Sequence, residues 1–369
     1  MYRREFLARV TAKLATAAIV MVSAKGHAVT RGDMAPLRYA KHKRPLIVIV
    51  ADNQGTETTD LMIPHAILQR SGMADVVIAS PAAGTITLMP ALSIAAQQTL
   101  SQFDSAHPEG ADLVIVPAVH GGGDPRIITW LKQQFAGNAF IVGICEGAKV
   151  LGKAGLLDGR EATSHWYAID DLRSAYPTMR WIRDRRYVVD RGVMTTTGVS
   201  ASISASLAIL EAIAGPARAE DLAARLGVDG YGSQHESGRF HLHMRNIWRA
   251  VANGAAFHEH EEVRIPVEPG LDGIALALTA DPWSRTYRSR AVLTADGSQV
   301  LSKDGLLLQA RAVTGKVRME DASLRIKLAE DIPPAAHLER SLGAISRRYG
   351  ASTAELVALQ LEYPWKTAS

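Results

Sequence analysis

Short apolar runs alternate with stretches of helical spacing from about residue 45 onward. Residues 46–51, 75–80, 112–117 and 139–144 are apolar and rich in β-branched side chains, the pattern of strands buried on both faces of a parallel sheet. Between them, residues 59–70, 127–135 and 146–154 carry apolar positions at helical spacing. The first of these helices is expected to break near Pro64 and to stop at Gly72, and the third to stop at Gly155. Residues 84–100 read as a hairpin or extended excursion, 186–195 as late strands and 203–214 as an amphipathic helix. Strands and helices alternating in this way predict an α/β fold, a flavodoxin-like parallel sheet sandwiched by helices, over residues 45–227.

The texture changes after Gly227. Residues 228–263 are rich in glycine and histidine, with His235, His241, His243, His258 and His260. The two His-X-His pairs lack the cysteines or carboxylates that would complete a recognisable metal site. The segment therefore reads as a polar surface connector, and neither a metal nor a cofactor is expected. Residues 264–369 predict a smaller α+β region: a helix at 271–278, a strand at 291–294, and turn signals at Asp296-Gly297 and 302–305 leading into Leu306, Leu307 and Leu308. The same order of helix, strand and turn-rich hairpin occurs from 59 to 96, so this region reads as a degenerate partial repeat without a second cysteine. Residues 338–362 form a last helical stretch that Gly343 and Gly350 are expected to interrupt.

The chemistry centres on Cys145, the single cysteine of the chain. It stands between the run 139–144 and the helix that follows, on a sharp strand-to-helix turn. Such a turn lifts a side chain out of the sheet, and free amides of a helix start favour an anion there. A nucleophilic thiolate is one reading; an ordinary buried cysteine is the other. Asp60 lies just beyond the first strand and His165 beyond a short extended run, so both can reach a crevice at the carboxyl ends of the strands. Each has a plainer explanation: a helix-capping carboxylate for Asp60, and a turn held by backbone bonds for His165.

Gly143-Ile144-Cys145-Glu146-Gly147-Ala148, followed by Ala154-Gly155-Leu156-Leu157-Asp158-Gly159-Arg160 and Ala162-Thr163-Ser164-His165-Trp166, resembles the DJ-1/PfpI superfamily. The similarity is greatest to the branch holding isonitrile hydratases and the amidase-like halves of AraC-type regulators. The resemblance implies Asp60, four positions before Pro64, as the acid/base partner of Cys145, and His165 as the histidine near the thiol. It places Ala118 and Val119, where relatives commonly have a glycine pair, together with Glu146, at the substrate or oxyanion position. Glu146 beside the thiol opposes the helix terminus. The expectation is that the terminus and a proton shared with Asp60 win, so that the thiol titrates below a free cysteine.

The implied function is a cysteine-dependent hydratase, hydrolase or glyoxalase/deglycase acting on a small electrophile; the alternative is a non-catalytic ligand-binding or redox-sensing protein. A helix-turn-helix pair of the AraC kind is not evident in 228–369, and a net charge of +4 gives no reason to expect nucleic acid. With 47% hydrophobic and 21% charged residues the composition is that of a soluble globular protein. A small-molecule ligand and a homodimer are the expected partners. Residues 1–28, with Arg3-Arg4-Glu5-Phe6-Leu7, a modest apolar middle and small residues near a cut, resemble a twin-arginine export signal. Export to the periplasm is expected, or an anchored, uncleaved amino terminus, with 29–44 as a polar linker.

Overall fold

The computed structural model describes residues 32, 34–39, 41–241, 244–255, 261–313 and 324–366. The export-like segment 1–28 and the histidines at 243, 258 and 260 lie outside them. The chain runs through β1 (Leu46–Val50), β2 (Thr56–Glu57), α1 (Thr58–Ser71), β3 (Asp75–Ser80), β4 (Thr85–Met89), β5 (Leu92–Ala95), β6 (Gln98–Thr99), α2 (Leu100–Ala106), β7 (Leu113–Val116), α3 (Pro125–Ala136), β8 (Phe140–Gly143) and α4 (Gly147–Lys153). It continues with β9 (Glu161–Ala162), α5 (Ile169–Ala175), β10 (Arg180–Trp181), β11 (Tyr187–Asp190), β12 (Val193–Thr196), α6 (Ala201–Ala214) and α7 (Pro216–Leu226).

Seven of these strands form the central sheet in the order β11-β12-β8-β7-β1-β3-β6. All pair in parallel except β11 with β12. The alternation of side chains along a strand sorts β1 onto two cores. Ile47 and Ile49 pack on the side of α1, α6 and α7, whereas Leu46, Val48 and Val50 pack with Phe103, Trp130 and Leu151 of α2, α3 and α4. A strand covered on both faces must be apolar throughout, which is why LIVIV carries no polar residue.

Helix α1 is buried from Thr58 to Leu68, because α6 packs on it from one side and a carboxyl-terminal helix from another. Leu61, Met62, Ile63, Ala66, Ile67 and Leu68 supply the apolar surface such a position needs, with Thr58, Thr59, Asp60 and His65 buried beside them. Pro64 does not break it. The missing N–H removes one bond to the Asp60 carbonyl, and surrounding contacts hold the helix continuous to its left-handed stop at Gly72.

The carboxyl-terminal region comprises α8 (Met244–Ala255), β13 (Glu261–Pro266), α9 (Gly273–Ser284), β14 (Ser289–Ala295), β15 (Gln299–Leu301), β16 (Leu307–Gln309), β17 (Arg311–Ala312), β18 (Leu324–Arg325), α10 (Ala336–Tyr349) and α11 (Ala351–Gln360). The segment expected as a polar connector differs from that expectation: α8 lies within it, and Tyr231, Ser233, Phe240, Ala250 and Asn253 are buried. Gly343 lies inside α10, and the helical break comes only at Gly350. The four-stranded sheet here has the order β17-β14-β13-β18, and a five-stranded sheet, β15-β16-β5-β4-β2, joins both halves. Ile274, Leu276, Trp283, Leu338, Leu342 and Leu361 share one core with Ile47, Ile49 and Leu61. The carboxyl-terminal region is thus built onto the α1 face of the central sheet.

Candidate active site

Cys145 joins β8 to α4 with φ at 57°, a left-handed conformation that non-glycine residues rarely adopt and that marks a constrained position. The turn is fixed from several sides. The Cys145 amide donates to Thr196 Oγ1 at 3.3 Å, and the Ser164 hydroxyl donates to the Cys145 carbonyl at 2.8 Å. Gly147 lets α4 start close against β7: a Cβ there would lie 2.1 Å from the Val116 carbonyl oxygen.

Asp60 is completely buried in the first turn of α1. Its Oδ2 accepts from the Ala118 amide at 3.2 Å and its Oδ1 from the Ser202 hydroxyl at 3.1 Å. Burial, then the neighbouring Glu57, pushes its carboxyl well above the usual carboxylate range, against the lowering effect of those two donors and Arg285. Asp60 is not the cap of its helix. That role belongs to Glu57, whose Oε2 accepts from the Asp60 amide at 2.6 Å and from the Thr59 hydroxyl at 2.8 Å. The other Glu57 oxygen receives Arg285 Nη2 at 2.6 Å, and Arg285 Nε reaches Asp281 Oδ1 at 2.7 Å.

The thiol differs from expectation. Cys145 is 5% exposed. Desolvation pushes its pKa well above the ordinary cysteine value, with Asp60, Glu146 and Glu57 adding to the rise, and the Glu146 backbone N–H pulls the other way without overcoming them. Lys149 Nζ holds the Glu146 carboxylate at 2.5 Å, within the wall of a cleft. The resting thiol is accordingly neutral at neutral pH.

His165 borders the same cleft, but both ring nitrogens are committed. Nε2 donates to the Gln360 carbonyl at 3.1 Å, while Nδ1 accepts from the Tyr167 amide at 3.4 Å. Burial lowers its pKa, so the ring is neutral and the geometry favours the holding role over proton transfer. The Ala118 amide, placed by resemblance at the oxyanion position, is already spent on Asp60. Val119 and Glu146 line the cleft, as do His120, Lys149, Lys153, Tyr176, Arg285 and Gln360, around a cavity of about 340 Å³. Gly121 and Gly122 also line it, both with positive φ, and Lys153 Nζ donates to their carbonyls at 3.1 and 3.0 Å.

Glu57, Arg285 and Glu362 were not singled out from the sequence. Glutamate is not among the residues preferred at a helix cap, so Glu57 carries no clear signal, and the other two carry none. Glu362, with φ at 51°, directs a buried carboxyl group to the Gly198 amide at 2.7 Å, His235 Nε2 at 2.9 Å and the Trp166 amide at 3.4 Å. Among the described residues, His42, His107 and Glu109 offer ligand atoms within 4.8 Å of one another. They flank the amino ends of β1 and β7, opposite the cysteine end, so they take no part in this site.

The DJ-1/PfpI family matches residues 45–212. An HTH-type transcriptional regulator of Pseudomonas aeruginosa is 36% identical over 92 residues, 25% of this chain and 27% of the regulator. Isonitrile hydratase of Pseudomonas putida is 34% identical over 109 residues, 28% of this chain and 46% of the hydratase. A deglycase of Pyrococcus horikoshii is 31% identical over 141 residues, covering 36% of this chain and 79% of the deglycase. The chain therefore spans about a quarter of the regulator and just under half of the hydratase. Among solved structures, DJ-1beta of Drosophila melanogaster shares 24% identity, with 50% of this chain and 98% of that one covered at a TM-score of 0.45. With four-fifths of the deglycase matched at this identity, the chain belongs to the DJ-1/PfpI family.

Proposed function

We propose that the protein is a cysteine-dependent enzyme acting on a small electrophile, of the hydratase, hydrolase or glyoxalase/deglycase kind. The observation that carries this reading is the left-handed turn that holds Cys145 between β8 and α4 while Asp60 faces it from the start of α1. Because the resting thiol is neutral, attack and proton loss are coupled. With an α-oxoaldehyde, sulfur forms a bond to the carbonyl carbon, the C=O π bond breaks, and the thiol proton ends on the new hydroxyl, relayed by the Asp60 carboxyl. The Glu146 amide already points at sulfur and is placed to receive a developing oxyanion beside it. Lys149 is paired with Glu146, while Lys153, seated on the Gly121 and Gly122 carbonyls, is a cation on the cleft wall that suits a small substrate with an anionic or strongly dipolar group.

A second reading, a ligand-binding protein, is favoured by one observation: the thiol lies behind the cleft wall and is not among its lining residues. Iodoacetamide alkylation against pH, with a screen of isonitriles and α-oxoaldehydes, separates the two. The enzyme reading expects alkylation that climbs through and above pH ~8.5, the free-cysteine value, turnover abolished in Cys145→Ala, and at least a hundredfold loss in Asp60→Asn. Turnover that survives Cys145→Ala sinks it. Saturable binding without turnover, unchanged in Cys145→Ala, establishes the second reading.

A further inference from the structure

The two halves of the chain share one order of elements. The series β1, α1, β3, β4, β5, β6, β7 is followed in kind by β13, α9, β14, β15, β16, β17, β18, while β2 and α2 have no counterpart among the described residues. The sheets agree too, β7-β1-β3-β6 against β18-β13-β14-β17. Helix α6 packs on α1 and α7 on α6; α10 packs on α9 and α11 on α10. Gly215, at φ 82° and ψ 166°, and Gly350, at φ 89° and ψ 155°, form the same corner within each helix pair. The stretch between β7 and α6, which holds Cys145, has no counterpart among the described residues either. One spacing relates Glu57 to Asp272 and Arg70 to Arg285, and it puts Ala275 where the first copy has Asp60.

The halves also meet as two subunits of a dimer would. Helix α1 packs on α9, and β5 pairs antiparallel with β16, so the two hairpins form one sheet. Contacts across this face are reciprocal, the signature of an isologous interface. Arg70, near the end of α1, pairs with Asp272, the cap of α9, at 2.8 Å; Arg285, at the end of α9, pairs with Glu57, the cap of α1, at 2.6 Å.

We infer that residues 261–366 are a truncated second copy of the half-domain, docked on the first about an approximate two-fold axis, and that this copy completes the Cys145 site in cis by supplying Arg285 as a positioning residue. The second part rests on the cysteine-enzyme reading above. Arg285 is buried and ties Glu57 to Asp281. Glu57 in turn holds the Asp60 amide and fixes the first turn of α1, so Arg285 acts on the thiol through two intermediates. Arg70 makes the corresponding pair with the cap Asp272, and a second pair with Asp304 that Arg285 does not mirror, at a helix start where Ala275 stands in place of Asp60. Structural equivalence and functional inequivalence of these two arginines make the idea testable.

The experiment compares full-length Arg285→Met, Arg285→Lys and Arg70→Met, reading urea stability, the pH midpoint of Cys145 alkylation and mass by light scattering. Both methionine variants are expected to lose stability. Arg285→Met, by removing the cation that faces Glu57, should move the alkylation midpoint up by at least about one unit, a tenfold slowing at fixed pH. Arg285→Lys should move it in the same direction by less, and Arg70→Met should leave it in place. A folded Arg285→Met with the wild-type profile overturns the role of Arg285, as does an equal shift in Arg70→Met. If Arg285→Met does not fold, an Arg285→Lys profile identical to wild type overturns it instead. The chain should run as a 39.7 kDa monomer, and a stable dimer overturns docking in cis. A wild-type thiol that never reacts refutes the enzyme reading and the Arg285 role, while the mass still decides the docking.

Discussion

Glu362 offers the sharpest separation of side-chain and backbone effects in this molecule. Its carboxyl group is buried and accepts from the Gly198 amide at 2.7 Å and from His235 Nε2 at 2.9 Å, with a longer contact of 3.4 Å to the Trp166 amide. Glu362→Ala removes all three. Each buried donor left without a partner costs about 1–3 kcal/mol, and the two short bonds dominate, so a loss of about 3–5 kcal/mol is expected. The backbone works in the other direction. Glu362 has φ at 51°, which costs a non-glycine residue about 1 kcal/mol or more. The spacing between Gly215 and Gly350 places Glu362 opposite Gly227, the left-handed stop of α7 with φ at 74°. Glu362→Gly should therefore be less destabilised than Glu362→Ala by about 1 kcal/mol, although it deletes more atoms. Urea unfolding followed by tryptophan fluorescence measures both differences. A Glu362→Ala variant within about 1 kcal/mol of wild type would refute the claim that these buried donors depend on Glu362, by the same scale of unsatisfied donors. An alanine variant more stable than the glycine variant would refute the strain argument.

The elbow and the buried titratable groups give further expectations. Gly147→Ala drives a Cβ to 2.1 Å from the Val116 carbonyl oxygen; with backbone on both sides neither can yield cheaply, and a loss of at least about 3 kcal/mol, or a thiol that no longer alkylates, is expected in chemical denaturation and labelling. His65 is buried, its Nδ1 has no hydrogen-bond partner among the described residues, and desolvation lowers its pKa to about 4. The unfolded chain thus takes up this proton first, near pH ~6.5, so stability is full above that value and falls by up to about 3 kcal/mol as pH drops towards 4. His65→Leu should flatten that limb of the urea midpoint against pH, and an unchanged slope would discard His65 as its source.

Much of the central sheet was legible because its strands are fully buried: LIVIV at β1 and the run ending at Cys145 have only one comfortable location, the interior of a parallel sheet. The elbow was legible for the same reason, since an apolar run, a cysteine and a glycine-rich helix start leave little conformational choice. The carboxyl-terminal copy was harder to read. Its β17 and β18 are two residues each, too short to show a period, and α8 lies among glycines and histidines whose composition suggested surface. Arg285 was invisible because an arginine in sequence reads as solvent-facing, and its burial depends on Glu57, far away in the chain and brought near only by the packing of α1 on α9. The thiol was misjudged because the helix terminus was weighed without its burial. Glu146 stands beside the sulfur in sequence, but the burial of the thiol and the approach of Glu57 are tertiary facts.

The antiparallel pairing of β5 with β16 means that the two hairpins meet along a seam within one polypeptide. Closing that seam is a unimolecular event, so dilution does not dissolve it, as it would dissolve the same seam between separate chains. Covalent linkage also ends the mirroring that identical subunits impose, under which any substitution appears on both sides of the axis. Here Glu57 and Asp272 could diverge, Asp60 could face Ala275, and the strand-turn-helix around Cys145 could be kept on one side and lost on the other. A fused pair can let one half surrender its chemistry and keep its shape, so the remaining site gains a scaffold that can vary without harming a twin.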